Sequence, residues 1–391
     1  MAKFKDICTK IGSGATPKGG KEAYCEDGIS LIRSQNVLDF AFSAGGLAYI
    51  NELQAEKLKN VIVEEDDVLL NITGDSVARA CIVHKKYLPA RVNQHVCIIR
   101  ADSSKAIPSY LLYYLQLNKE YLLQLASGGA TRNALTKDMI NNLELELPTI
   151  KEQQKVVAVL DDIQKKIDFN NAINENLEQQ AQAIFANEFL ALESLPDGWK
   201  RGSLIDIADY LNGLAMQKYR PAADEVGIPV LKIKELRQGC CDDTSEVCSP
   251  NIKTNYIIHD GDVIFSWSGS LLVDFWCGGI CGLNQHLFKV TSSVYDKWFY
   301  YAWTKHHLER FIAVAADKAT TMGHIKRDEL SKAEVLIPNK ADYNRIGSLL
   351  HPIYDLIITN RIESKKLAET RDTLLPKLMS GEIDISEVDY E

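Results

Sequence analysis

Val156-Val-Ala-Val-Leu160-Asp-Asp-Ile163-Gln-Lys-Lys-Ile167-Asp-Phe-Asn170-Asn-Ala-Ile-Asn174-Glu-Asn-Leu177-Glu-Gln-Gln-Ala181-Gln-Ala-Ile184 is the stretch that decides the fold. Its numbered positions step alternately by four and three, the a/d spacing of a coiled coil. Adding 190 gives Ile346, Leu350, Ile353, Ile357, Asn360, Ser364, Leu367, Arg371 and Leu374, the same seam with the same polar interruption. Buried polar groups at a and d positions lower stability but fix register. Pro148 and Pro338 precede the two runs as start punctuation, and Pro196 and Gly198 close the first. A helix of about 38 residues is about 57 Å long. Neither helix buries its stripe alone, so an antiparallel pair is expected, with the flanking domains at its opposite ends about a pseudo-two-fold axis.

Working outward, the rest of the chain is also written twice. Val61-Ile-Val-Glu-Glu-Asp-Asp67-Val-Leu-Leu-Asn-Ile-Thr-Gly74 resembles Tyr256-Ile-Ile-His-Asp-Gly-Asp262-Val-Ile-Phe-Ser-Trp-Ser-Gly269. Val92-Asn-Gln-His95-Val matches Leu283-Asn-Gln-His286-Leu, and Leu143-Glu-Leu-Glu-Leu-Pro148 matches Ala333-Glu-Val-Leu-Ile-Pro338. Short apolar runs at 61–63, 68–72 and 96–99, bounded by Gly, Asp or Asn, read as strands. Helical patches follow at 109–125 and 294–311. The expected fold class is α+β: similar domains at 1–148 and 196–338, with long helices at 149–195 and 339–391.

A net charge of −9 is unusual for a chain that touches phosphate. Its distribution resolves this. Residues 151–193 carry a net of −4 and residues 340–391 a net of −3, so the two expected domains and their joints hold only −2. No run of about 18 apolar residues exists, so no membrane span is expected. Met1-Ala2-Lys3-Phe4-Lys5-Asp6 lacks a signal-peptide core, and nine cysteines without a regular framework fit a reducing cytoplasm.

Three stretches carry a family resemblance. Leu147-Pro-Thr-Ile-Lys-Glu-Gln-Gln-Lys-Val-Val-Ala-Val-Leu-Asp161 resembles the central conserved region of type I restriction-modification specificity (S) subunits. Arg371-Asp-Thr-Leu-Leu-Pro-Lys-Leu-Met-Ser-Gly-Glu-Ile383 resembles their C-terminal conserved region, and Gly12-Ser-Gly-Ala-Thr-Pro17 the opening of many of their target recognition domains. The resemblance spans the whole chain, including its duplication. It implies two target recognition domains, each reading half of a split duplex DNA target, spaced by the helical pair. It also implies two modification (M) subunits, similar to adenine methyltransferases that use S-adenosylmethionine. Restriction (R) subunits would bring ATP- and magnesium-dependent translocation and cleavage. The chain itself would hold no cofactor and catalyse nothing. A DNA-binding scaffold of another defence system with the same fold is the alternative.

The chain lacks the Asn/Asp-Pro-Pro-aromatic loop with which adenine methyltransferases hold a flipped base. Ala15-Thr-Pro-Lys-Gly-Gly20-Lys21-Glu22 misses a P-loop at both ends, with Ala15 for glycine and Glu22 for Ser/Thr. Lys18 there is a candidate phosphate contact, against an ordinary surface loop. Cys240, Cys241, Cys248, Cys277 and Cys281 lack paired Cys-x2-Cys spacing and read as thiols rather than zinc ligands. Arg33, Gln35 and Asn36 in the first half and Lys232 and Lys234 in the second occupy similar places with different chemistry, as base readout requires. Arg79, Arg91, Lys218 and Arg220 are further DNA candidates. Arg132, Thr321 and Lys326 are candidates on loops before the long helices. Asn93-Gln94-His95 and Asn284-Gln285-His286 read either as strand-capping turns or as shared phosphate contacts. The five tryptophans all lie in the second half and read mainly as core, Trp267 being a possible DNA contact.

Overall fold

The structure, a computed structural model, describes residues 1–128, 133–317 and 327–386. It divides into two compact units: residues 1–165 with 368–391, and residues 166–367. Each unit therefore combines one duplicated domain with a portion of both long helices. None of the described helices is long and apolar enough to cross a membrane.

In the first unit, Cys8–Ser13, Val96–Ala101, Val68–Asn71 and Ala80–Ile82 form an antiparallel sheet in that order. A second sheet runs Ala48–Ile50, Ile29–Ile32, Ala90–Val92, Ile62–Val63, and its central pair, Ile29–Ile32 with Ala90–Val92, is parallel. Val68, Leu70, Cys97 and Ile99 pack beneath the helix Pro108–Leu117, whereas Leu69 and Ile98 join Leu31, Ile32 and Val92 in a second core. Both faces of Val68–Asn71 are buried, which explains its unbroken apolar run.

The second unit repeats this topology. Its sheets run Asp209–Asn212, Leu287–Thr291, Val263–Ser266, Leu272–Phe275 and Val247–Cys248, Ile228–Leu231, Cys281–Leu283, Ile257–Ile258. Ile228–Leu231 and Cys281–Leu283 are again the parallel pair. The helices Lys297–His306 and Leu308–Asp317 supply Trp298, Trp303 and Phe311 to the core with Trp199. Trp276 lies in a smaller core, so four tryptophans are buried, and Trp267 is half-buried.

The long helices are Ile150–Phe185, extended by a π turn at Ala186–Leu190, and Lys340–Met379. Both begin after the expected proline. Thr149 and Glu152 cap the first reciprocally, and Asn339 and Asp342 the second. Gln153 fastens the first start to its domain: Oε1 accepts from Ile107 N and Nε2 donates to Lys105 O. Tyr343, 190 residues on, does the same in the second unit, its hydroxyl accepting from Asp296 N at 2.7 Å.

All nine seam positions of each helix are buried or half-buried. In the first unit Val156 and Leu160 pack with Leu375 and Leu378, and Arg371 reaches Gln164 while stacking over Phe40. In the second, Asn360 Nδ2 donates to Asn174 Oδ1 at 3.0 Å, Asn170 to Ser364 at 3.3 Å, and Arg361 to Glu178 at 2.9 Å. From Gln164–Arg371 to Leu160–Leu375 in the first unit, and along Asn170–Ser364, Asn174–Asn360 and Glu188–Arg345 in the second, partner numbers rise on one helix as they fall on the other, the antiparallel direction expected. Asn360→Leu alone is expected to destabilise the second unit by about 1–3 kcal/mol, since Asn174 Oδ1 loses its donor in a buried seam. Adding Asn174→Leu should recover most of that loss in chemical denaturation, as both polar groups are then gone. Simple addition of the two single effects would refute a paired role.

Candidate nucleic-acid interfaces

In the first unit the parallel strands end side by side, and Asn93 N donates to Ile32 O at 3.0 Å. Residues 33–36 follow one strand and 93–95 the other. Gly14 N donates to Val96 O at 2.9 Å and Ala15 N to Val92 O at 3.1 Å, drawing in the loop that carries Lys18. Asn71, fully buried, donates to Ser34 O at 2.8 Å and Ser76 Oγ at 3.1 Å, which brings in the loop that ends at Arg79. Thr73 Oγ1 lies 2.6 Å from His95 Nδ1. Four loops thus converge at the carboxyl ends of two parallel strands, the position where open sheets gather ligand-contacting residues.

The second unit builds the same cluster. Asn284 N donates to Leu231 O at 3.2 Å, Gly213 N to Leu287 O at 3.0 Å, and Leu214 N to Leu283 O at 2.9 Å. Ser268 Oγ lies 3.2 Å from His286 Nδ1. Here the loops enclose a cleft of about 380 Å³ whose lining includes Gln217, Lys232, Lys234, Gln285 and His286. Both Asn-Gln-His triplets are turns: Val96 N donates to Asn93 O and Leu287 N to Asn284 O, each at the start of a strand. The turn reading of the triplet is therefore correct.

The candidate side chains separate by environment. Gln35 is exposed and donates to Gly46 O at 3.1 Å, beside Arg33 Nη2 at 2.6 Å from the same carbonyl. Arg79 is half-buried, and its guanidinium has no partner among the described residues. Lys18 and Lys218 are exposed, likewise without a side-chain partner there. Sequence position suggests DNA contact for Asn36 and Arg91 too, and the structure corrects this. Asn36 is fully buried: Oδ1 accepts from Arg33 N, and Nδ2 donates to Ser43 O and Gly45 O. Arg91 is 8% exposed and donates to Ala55 O and Ala90 O, and burial lowers its pKa. Both brace the loops from inside. Arg132, Thr321 and Lys326 lie outside the described residues.

In the second unit Arg220, Lys232 and Lys234 already face carboxylates. Glu246 pairs with Lys232 and, at 3.2 Å, with Arg220, and the Lys232 ammonium holds its carboxyl below the usual range. Lys234 reaches Asp242 at 3.2 Å and Thr244 Oγ1 at 2.7 Å; Thr244 and Gln238 depress the Asp242 carboxyl. Sequence reasoning missed these acids, although Asp242, Asp243 and Glu246 follow the basic pair closely. It also missed Gly14 and Gly213. A Cβ at Gly14 would sit 2.0 Å from Val92 O, and one at Gly213 2.2 Å from Asn284 O.

Residues 1–179 and 196–369 match the family model described as the type I restriction modification DNA specificity domain. The chain belongs to the type I restriction-modification specificity subunits. It is 26% identical to the type I restriction enzyme MjaIX specificity subunit of Methanocaldococcus jannaschii, covering 99% of this chain and 94% of that one. It is 20% identical to the HindI specificity subunit of Haemophilus influenzae, covering 91% and 94%. A crystal structure of the S subunit from M. genitalium shares the fold with a TM-score of 0.55 at 13% identity, covering 96% of this chain and 95% of that one. As a specificity subunit the chain is a non-catalytic DNA-recognition protein, and the DNA specificity domain is matched twice along it.

Proposed function

We propose that each unit of this specificity subunit reads one half of a two-part duplex DNA sequence. The long helices would set the spacing and dock two modification subunits, with restriction subunits joining them in the cytoplasm. Methyl transfer from S-adenosylmethionine, and ATP- and magnesium-dependent cleavage, belong to those partners. One observation carries the reading: the same four-loop cluster is built twice on the same backbone bonds, with Arg33 and Gln35 in one copy where the other has Lys232 and Lys234. Repeated scaffolding with altered side chains is what two different half-sites require, since Arg and Lys suit guanine and Gln suits adenine. The near-neutral domains leave phosphate contact to local cations such as Lys18, Arg79 and Lys218.

Replacing residues 1–148 with the corresponding domain of a relative should change one half of the methylated motif made with the modification partner. The other half should persist. A swap that alters both halves in an active complex, or neither, would overturn modular reading.

A further inference from the structure

The duplicated Asn-Gln-His turn has bond directions that fix what it presents outward. An amide nitrogen donates and never accepts. Gln94 Nε2 lies 3.1 Å from His95 Nε2, so that ring nitrogen is the acceptor and the ring proton sits on Nδ1. Nδ1–H then donates to Thr73 Oγ1 at 2.6 Å. The second unit repeats the chain, with Gln285 Nε2 at 3.4 Å from His286 Nε2 and Ser268 Oγ at 3.2 Å from Nδ1. The backbone beneath is held too: Asn93 Oδ1 accepts from His95 N and Asn284 Oδ1 from His286 N.

One amide hydrogen of each glutamine is thus engaged by the imidazole. The second amide hydrogen has no partner among the described residues, nor has Oε1. Gln94 is exposed, and Gln285 lines the 380 Å³ cleft with Lys232 and Lys234. A donor and an acceptor side by side complement adenine in the major groove, which offers N7 as acceptor and the N6 amino group as donor. A phosphate has acceptors alone and would face Oε1 unfavourably.

We propose that Gln94 and Gln285 are base-reading residues, each pairing with an adenine, so that both half-sites carry an adenine opposite this turn. The inference rests on the two-part reading above and deepens it. The variable positions 33, 35, 232 and 234 would distinguish the half-sites, while the repeated turn reads what they share.

The test is selection from a randomised duplex library by the full chain with its modification partner present. The wild-type motif should hold one adenine in each half that depends on these residues. Gln94→Ala should lower discrimination at one adenine about 10- to 100-fold and leave the other half intact. That intact half shows the variant folded. Gln285→Ala should do the reverse. Gln94→Glu, now an acceptor-only group, should shift the preference at that position toward cytosine, whose N4 amino group donates. 7-Deazaadenine at the same position should weaken wild-type binding and leave Gln94→Ala unmoved. A wild-type motif lacking adenine in either half would overturn the proposal while sparing the two-part reading. So would a Gln94→Ala chain that weakens all sequences evenly with a shallower salt dependence, the mark of a phosphate contact. A wild-type chain that selects no two-part motif overturns both.

Discussion

Gly14→Val is expected to destabilise the first unit by about 3 kcal/mol, the upper range for forcing bulk into a packed site, and to abolish reading of one half-site. At Gly14 the obstacle is backbone: the new Cβ would meet Val92 O at 2.0 Å and Asn93 O at 2.3 Å. Neither carbonyl can swing aside as a side chain would. Val92 O accepts from Ala15 N, and Asn93 O from Val96 N. Relief therefore requires the loop of residues 14–18 to leave the end of the parallel strand pair, which opens the cluster that holds Gln94. Gly12→Ala is the matched control, because a Cβ there meets nothing within 4 Å. Chemical denaturation and the methylated motif should report together: Gly14→Val loses the first half-site, Gly12→Ala neither. Parent-like melting of Gly14→Val would show that the close approach does not constrain the site.

The contrast between what was legible in the chain and what was not follows the range of the interactions. The helical seam was legible because 3.5-residue spacing is a local consequence of helix geometry, and Val156 and Leu350 announce their burial without knowledge of a partner. The parallel pairing of Ile29–Ile32 with Ala90–Val92 leaves no such mark, since strands distant in sequence set their register through the folded core. Arg91 shows the consequence. Ala90, Arg91 and Val92 are all buried, so the strand lacks the alternation that would have pointed Arg91 inward. Asn36 fails differently: it follows Gln35 in a tight 3-10 turn, where neighbouring side chains diverge and no period assigns a face. The duplication supplied the remaining signal. Asn36 and Glu235 occupy matching positions and both accept from the backbone N–H three residues earlier, the role of a cap and not of a reader.

The same duplication yields a graded stability prediction from Asp67 and its counterpart Asp262. Asp67 is fully buried and takes a two-pronged bond from Arg100, Nε to Oδ1 and Nη2 to Oδ2, both at 2.8 Å, plus Glu64 N at 2.7 Å. Removing one partner of such a pair strands the other, typically at about 3–5 kcal/mol. Arg100 retains Glu64 and Ile62 O and is 22% exposed, so Asp67→Ala should fall near about 3 kcal/mol. Asp262 receives a single ammonium contact, Lys289 at 2.8 Å, and His259 N at 2.9 Å, with its side chain 24% exposed. Lys289 also keeps Ile257 O at 3.1 Å, so Asp262→Ala should cost about 1–2 kcal/mol. The effect should reach recognition, because Asp67 precedes Val68–Asn71 and Arg100 lies on Val96–Ala101, paired as Val68 with Ile99 and Asn71 with Val96. The ion pair clamps one end of these strands, while their other end supports Asn71 and the Asn93 turn. Asp67→Ala should therefore melt the first unit early and weaken its half-site, and Arg100→Met added to it should restore part of the stability by removing the stranded charge. An equal or larger loss from Asp262→Ala, or no recovery in the double variant, would show that the buried pair does not clamp the strands.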